Sequence, residues 1–264
     1  MSIEQPKLIN THIEKTAGTS VRTLLQTAAG VDRMAIYDVG TNKLRLASEG
    51  SQRSVSPFIN RLKSTLMDTP FYGGARELAH LLDKMRSKEE LVEIPSDVLV
   101  IHGHFPADKY DDVVENPLRS IVFRDPLERM RSQYDHWTRN RGEADFRLPI
   151  VYDPEMSFED YALLPELQNY QTQAVAGKPL TEFDAIGVTE NLEPFRHDLV
   201  KLFVEQGWCD ENILNTISLP RINQTSARTR SNPSQLQPSF LQAFRNFHSE
   251  DYQLHDAATR LLEK

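Results

Sequence analysis

Residues 7–30 read KLINTHIEKTAGTSVRTLLQTAAG, and the change of period along this stretch decides the fold. From Lys7 to Ile13 the residues alternate around apolar positions, the rhythm of a strand. Further on, Val21, Leu24 and Leu25 fall at helical spacing, and Gly30 supplies a stop. Between the two lies EKTAGTS, a loop of small residues that holds one lysine and opens directly onto a helix N-terminus. Such a loop suits a phosphate. Its backbone N–H groups and the helix dipole favour an anion, Ala17 and Gly18 permit close approach, and Lys15 adds a point charge. An ordinary strand-to-helix turn with a surface lysine has the same spacing. The loop is not GxxxxGK[ST], because its lysine precedes the glycine, which counts against an ATPase or kinase.

Outward from this unit the strand-then-helix pattern recurs. DVLVIHGH, ending at His104, and RSIVF, ending at Phe123, read as buried strands. Asp125 and Pro126 suit the N-cap and first position of a helix running to about Asn140, with Leu127, Met130, Tyr134 and Trp137 on its core face. FDAIGV gives a fourth short strand, and TENLEPFRHDLVKLFVEQG an amphipathic helix with Thr189 as its cap. Leu78, Leu81, Leu82 and Met85 mark another amphipathic helix, and the C-terminus reads as helical to Lys264. Residues from about Val31 to Pro70 mix Gly, Ser and charges and yield no assignment. Strands alternating with helices imply a parallel sheet covered on both faces, with ligands beyond the carboxyl ends of its strands.

The totals narrow the function classes. At 264 residues and 39% hydrophobic content, one large domain is expected. A formal net charge of -8 leaves no global positive field, so nucleic acid is not an expected partner. One cysteine, Cys209, forms no internal disulfide and no CxxC site. The first residues lack the basic start and apolar stretch of a signal peptide, and no membrane span is expected, which together read as cytoplasmic.

A second constellation lies in SIVFRDPLERMRSQYDHW. Arg124 closes a strand and Ser132 follows eight residues on, within a helix, so a guanidinium fork and a hydroxyl could grip one phosphate, with Arg129 and His136 on roughly the same side. Pairing of Arg124 with Asp125 or Glu128 is the competing reading. His102 and His104 flank Gly103 at a strand end, which puts both on one face of an extended chain. An imidazole titrates near neutral pH and suits proton transfer. An HxH pair is also half of a zinc site, but no third ligand with recognisable spacing accompanies it, so no metal is expected.

These residues carry a family resemblance. HIEKTAGTS resembles the 5′-phosphosulfate loop, and FRDPLERMRSQY the 3′-phosphate segment, of the sulfotransferases that use 3′-phosphoadenosine 5′-phosphosulfate (PAPS), with the heparan sulfate 6-O- and 2-O-type carbohydrate enzymes as the nearest pattern. HGH at 102–104, LQNYQTQAVAG at 167–177 and FDAIGVTENLEPF at 183–195 follow in the family's order. The resemblance fails over about residues 31–95.

The resemblance implies an α/β, P-loop-like three-layer fold with a central parallel β-sheet flanked by helices, forming one domain over 1–264. Residues 31–95 would be a divergent insertion or lid that chooses the acceptor. It implies that Lys15 contacts the bridging oxygen of PAPS, that Thr16, Ala17, Gly18, Thr19 and Ser20 surround the 5′-phosphate, and that Arg124 and Ser132 bind the 3′-phosphate. Arg228 or Arg230, in RINQTSARTR, would close over the nucleotide. By the same analogy His104 is the base, with His102, Asn169 and Gln171 near the substrate, and the acceptor is a hydroxyl of a glycan or small glycosylated metabolite. Glu14 departs from the pattern, standing where many members carry proline or glutamine. An acid beside an anion site is unfavourable unless it points away or is paired. A P-loop kinase or phosphotransferase using Asp125 for magnesium, and a non-catalytic nucleotide-binding module, are the alternatives.

Overall fold

The computed structural model describes residues 7–38, 43–49, 94–140, 150, 153–210, 212 and 236–263. The chain enters through strand β1 (Leu8–Thr11) and helix α1 (Gly18–Ala29), then forms β2 (Met34–Asp38), β3 (Lys43–Leu46), β4 (Val100–Gly103) and β5 (Leu118–Phe123). Helices α2 (Pro126–Arg139), α3 (Phe158–Ala162) and α4 (Tyr170–Val175) precede β6 (Ala185–Val188). Then come α5 (Glu193–Glu205), α6 (Pro238–Phe247) and α7 (Ser249–Leu262). The six strands form one sheet in the order β3-β2-β4-β1-β5-β6, in which only β3 runs antiparallel to its neighbour. β2 and β3 lie in a stretch to which the sequence alone assigned no element. The amphipathic helix expected around Leu78–Met85 lies outside the described residues.

Alternation along the strands sorts the core into two faces. Leu8, Val100, Val122, Met34 and Ala185 pack with α1 and α5 on one side. On the other, Ile121, Phe123, Ile186 and Val188 meet Val175 of α4 and Ala258 of α7. Ile9, Ala35 and Ile101 on that second side meet Phe105, Tyr110 and Val114 of the β4–β5 connection. The result is the three-layer α/β architecture. It also sets where the connections go. The loop after β1 leaves toward the α1 face, whereas those after its neighbours β4 and β5 leave toward the opposite face, so a crevice opens at the carboxyl end of β1.

Helix α2 is held by a separate aromatic core in which Met130 and Trp137 pack with Phe158, Tyr161, Phe240 and Phe244. Its start follows the sequence expectation, with Pro126 in the first turn and the Asp125 side chain accepting from the Glu128 amide at 2.9 Å. Thr189, by contrast, does not cap α5. That helix begins after Leu192 with no side-chain cap and a proline in its first turn. Thr189 instead extends the sheet, its N–H donating to Phe123 O at 2.9 Å, and a bridge between Val188 and Asn191 turns the chain before the helix starts. The C-terminal helical stretch breaks at His248, whose Nε2 lies 2.9 Å from Ala162 O while Nδ1 accepts from the Asn169 amide at 3.3 Å.

Gly187 is where α5 meets the sheet most closely, since a Cβ there would lie 2.8 Å from Phe195 Cβ, an atom that moves only with its helix. Overpacking of this kind costs about 1–3 kcal/mol. Gly187→Ala is expected to lower the unfolding free energy by about that amount, read from the midpoint shift of a urea titration.

Candidate active site

The strand-to-helix loop after β1 is strained. Lys15 and Ala17 both take left-handed backbone conformations, at φ 68 and φ 61, which cost a non-glycine residue about 1–2 kcal/mol each. Such strain collects at functional sites, and alternation into the left-handed region turns successive N–H groups into one concavity. Thr16 is buried and donates its hydroxyl to Ile13 O at 2.8 Å, tying the loop to the end of its own strand. Ala17 occupies the N-cap of α1 and supplies no side-chain cap, and the first turn holds no acid. The amides of the first turn have no partner within the helix, and their positive dipole end faces the loop.

Arg124, at the end of β5, reaches this loop. Its Nη1 donates to Lys15 O at 3.1 Å, and its Nη2 lies 3.9 Å from Glu128 Oε2. Thus the two constellations read from the sequence share one crevice, and the Glu128 contact foreseen as a rival coexists with the loop contact. Gln171 fixes Arg124 from behind. Fully buried, it accepts from the Arg124 amide at 3.0 Å and donates to the Arg124 carbonyl at 2.9 Å. Ser132, half-buried in α2, lies one turn from both Glu128 and His136 on the same helical stripe. Glu128 brings that stripe to Arg124, 3.9 Å from its Nη2, and burial, then the charges of Lys15 and Arg139, hold the His136 pKa below its ordinary value.

Three imidazoles stack beside the loop. The ring of His12 lies 4.0 Å from that of His104 and 5.2 Å from that of His102, centroid to centroid. His12 also rests on Gly18, where a Cβ would come within 1.8 Å of its Nε2, so glycine is what lets an aromatic ring pack against the start of α1. His102 is 4% exposed and belongs to a buried polar chain across three strands. Its Nδ1 meets Asn10 Oδ1 at 2.6 Å, and Asn10 Nδ2 donates to Ser120 Oγ at 2.7 Å. Burial, then the neighbouring His104 and Arg22, hold the His102 pKa down at about 3. His104 is the more accessible, with 22% of its side chain exposed. Burial brings its pKa to about 4, Lys15 adding to the fall and the His12 backbone opposing it. At neutral pH both rings are uncharged, the state a proton acceptor needs.

Glu14 turns away from the anion loop. Its Oε2 accepts from Tyr170 Oη at 2.6 Å, and its Oε1 lies 3.4 Å from His104 Nδ1. Asn169 sits half-buried at the N-cap of α4, where its Oδ1 accepts from the Asp251 amide at 3.4 Å. Asp125 accepts the Glu128 amide at Oδ1 as the cap of its helix. Arg129 does not share the Ser132 stripe but is buried with its guanidinium 4.9 Å from the Tyr170 ring centre. Tyr134 and Trp137 belong to the aromatic core around α3. Glu190 accepts from the Asp125 amide at 3.0 Å and lies 3.4 Å from His255 Nε2. Burial alone would raise its pKa, but these contacts pull it to about 2. Arg228 and Arg230 lie outside the described residues. Among the described residues no group of three or more His, Cys, Asp or Glu could hold a metal ion, and no helix is long and apolar enough to cross a membrane.

No family model and no curated protein matches the chain. Among solved structures, a sulfotransferase from Alicyclobacillus acidocaldarius aligns over 94% of this chain and 93% of its own, at 14% identity and a TM-score of 0.39. A likeness of that depth assigns nothing, and the chemistry of this chain rests on its own residues.

The histidine pair makes the fold acid-sensitive. In the unfolded chain both imidazoles take up protons below about pH 6.5, whereas the folded protein resists until about 3 at His102 and about 4 at His104. Stability is therefore untouched by these groups above pH 6.5 and falls as the pH drops toward 4. The Glu190–His255 contact acts oppositely over that range. The raised pKa of His255 adds stability below 6.5 that is lost as the pH rises through its folded value. The Glu190 contribution persists until the pH falls from about 4.5 toward 2. Thermal unfolding between pH 7.5 and 4.5 is expected to show a falling midpoint in the wild type, a shallower fall in His102→Gln, and a steeper one in His255→Gln.

Proposed function

We propose that the chain transfers a sulfonate group from PAPS to a hydroxyl acceptor. The observation that carries this reading is the hydrogen bond from Arg124 to the Lys15 carbonyl, which makes one crevice of two anion grips. A ligand with phosphates at both ends of a single nucleoside matches such a crevice better than a single phosphate chain does. The residues fit that group. Lys15, Thr16, Ala17, Gly18, Thr19 and Ser20 would hold the 5′-phosphosulfate with backbone amides, dipole and ammonium, and Arg124 and Ser132 would hold the 3′-phosphate. PAPS supplies the sulfonate and leaves as adenosine 3′,5′-bisphosphate.

The protein's own share is placement and charge. Neutral His104 accepts the proton of the acceptor hydroxyl at a ring nitrogen as the acceptor oxygen bonds to sulfur. The bond from sulfur to the bridging oxygen breaks with its electron pair going to the phosphate, where Lys15 and the loop amides meet the developing charge. A pKa near 4 makes His104 a weak base in the empty site. An anion bound against Lys15 offsets the cation that helps depress it, so the base strengthens when the nucleotide is present. The acceptor in this reading is a hydroxyl of a glycan or small glycosylated metabolite, and a net charge of -8 disfavours a heavily sulfated polymer. Asn169 lies near the acceptor in this reading, and Gln171 acts on it through Arg124, whose amide and carbonyl it holds.

Calorimetry without metal is expected to show adenosine 3′,5′-bisphosphate binding in preference to ATP and AMP, with Arg124→Ala removing the preference. Equal binding of AMP would overturn the two-grip reading. Lys15→Ala is expected to cut release of adenosine 3′,5′-bisphosphate from PAPS by about two to three orders of magnitude, comparable to the loss of one oxyanion donor.

A further inference from the structure

We infer that Glu14 is a positioning residue that fixes the tautomer of His104 and stabilises its protonated form. The inference rests on His104 being the base of the proposed transfer. An acid within an anion-binding loop repels the very ligand the loop is shaped for. The fold resolves this by turning the carboxylate to the far side, where side chains from two other elements meet it. Tyr170, at the start of α4, donates to Oε2 at 2.6 Å. His104, just beyond β4, brings Nδ1 to 3.4 Å from Oε1. Glu14 itself is 9% exposed, so its charge acts in a medium where it is weakly screened.

The consequence follows from the shape of an imidazole. A carboxylate that accepts only can face Nδ1 favourably only if that nitrogen carries the proton. The proton-free Nε2 then lies on the opposite side of the ring, turned away from Glu14 and available to an acceptor hydroxyl. Once Nε2 takes that proton, both ring nitrogens carry hydrogen and the ring is cationic beside a fixed anion, the role an orienting acid plays toward a catalytic histidine. The 3.4 Å separation is long for a hydrogen bond, as catalytic contacts often are before the substrate is bound.

The surroundings explain why this ring needs support. Lys15 from the loop opposes its protonation, the His12 backbone favours it, and the His12 ring stacks between it and His102. On the other side of Tyr170 lies the guanidinium of Arg129, 1% exposed, with Nε and Nη1 meeting no hydrogen-bond partner among the described residues. That buried cation sits over the ring whose hydroxyl holds Glu14. Glu14 is thus the anion that balances a cluster otherwise rich in positive and protonatable groups.

The test reads the imidazole directly. In nitrogen NMR of histidine-labelled protein at pH 7, with the His104 resonances assigned through His104→Gln, the wild type is expected to show a single Nδ1–H tautomer. Glu14→Gln should mix the tautomers and lower the His104 pKa by about one unit, the smaller end of what a nearby opposite charge does. Glu14→Asp should restore part of both effects. Tyr170→Phe, which removes only one hydroxyl, should move them in the same direction by less, and it serves if Glu14→Gln fails to fold. A wild-type Nε2–H tautomer, or an imidazole unchanged in both Glu14→Gln and Tyr170→Phe, overturns the inference. Adenosine 3′,5′-bisphosphate titrated into the same samples separates the two ideas. Absence of binding overturns the transfer reading and the base role with it, whereas binding beside an unchanged imidazole overturns the role of Glu14 alone.

Discussion

One hydrogen bond, from the Arg124 guanidinium to the Lys15 carbonyl at 3.1 Å, joins parts of the chain more than a hundred residues apart. Without it the left-handed loop after β1 and the strand end of β5 would be two separate features of the sheet edge. With it they share one wall. The bond is possible because β1 and β5 are direct neighbours in register, with Thr11 opposite Ile121, so their carboxyl ends emerge side by side. The sheet order thus decides the chemistry, and the aromatic core behind α2 and the Gln171 clamp keep Arg124 where the sheet delivers it.

The same end of the sheet concentrates polar groups that the core would otherwise reject. His102, Asn10 and Ser120 span three strands in a layer directly above Leu8 and Val100, and each is satisfied by the next. A buried polar chain of this kind contributes little net stability, but leaving any member unpaired costs more than the bond is worth. It therefore specifies which strands lie together and at what register. The His12 ring packs between His102 and His104, and burial keeps the His102 and His104 imidazoles neutral, with Lys15 adding to the effect at His104.

Much of this was legible in the sequence because it depends on local pattern. The alternation of residues 7–13, the helical spacing after Val21, and the Asp125–Pro126 start of α2 are each set by neighbours within one or two turns, and each forms as read. Thr189 misled because a threonine before an acid looks like a cap, while pairing of its amide with Phe123 across the sheet took precedence. The edge strand β3 was invisible because all four of its residues are at least partly exposed, whereas β2 does carry a short apolar run, Met34–Tyr37, set among polar and glycine residues that gave no strand reading. His12 could have been noticed, since it follows Asn10 at strand period and Asn10 lies opposite His102, but that register is a long-range fact.

By itself the sequence determined most of the elements other than β2 and β3, their alternation, and the residue types able to hold an anion, because these follow from short-range sterics and periodicity. Only the tertiary structure decided that Arg124 meets Lys15, that Gln171 serves Arg124, that Arg129 stacks on Tyr170, and that Glu14 faces a histidine instead of a phosphate. Those pairings join residues far apart in the chain, and they are fixed by which strands are neighbours and on which side of the sheet each connection leaves.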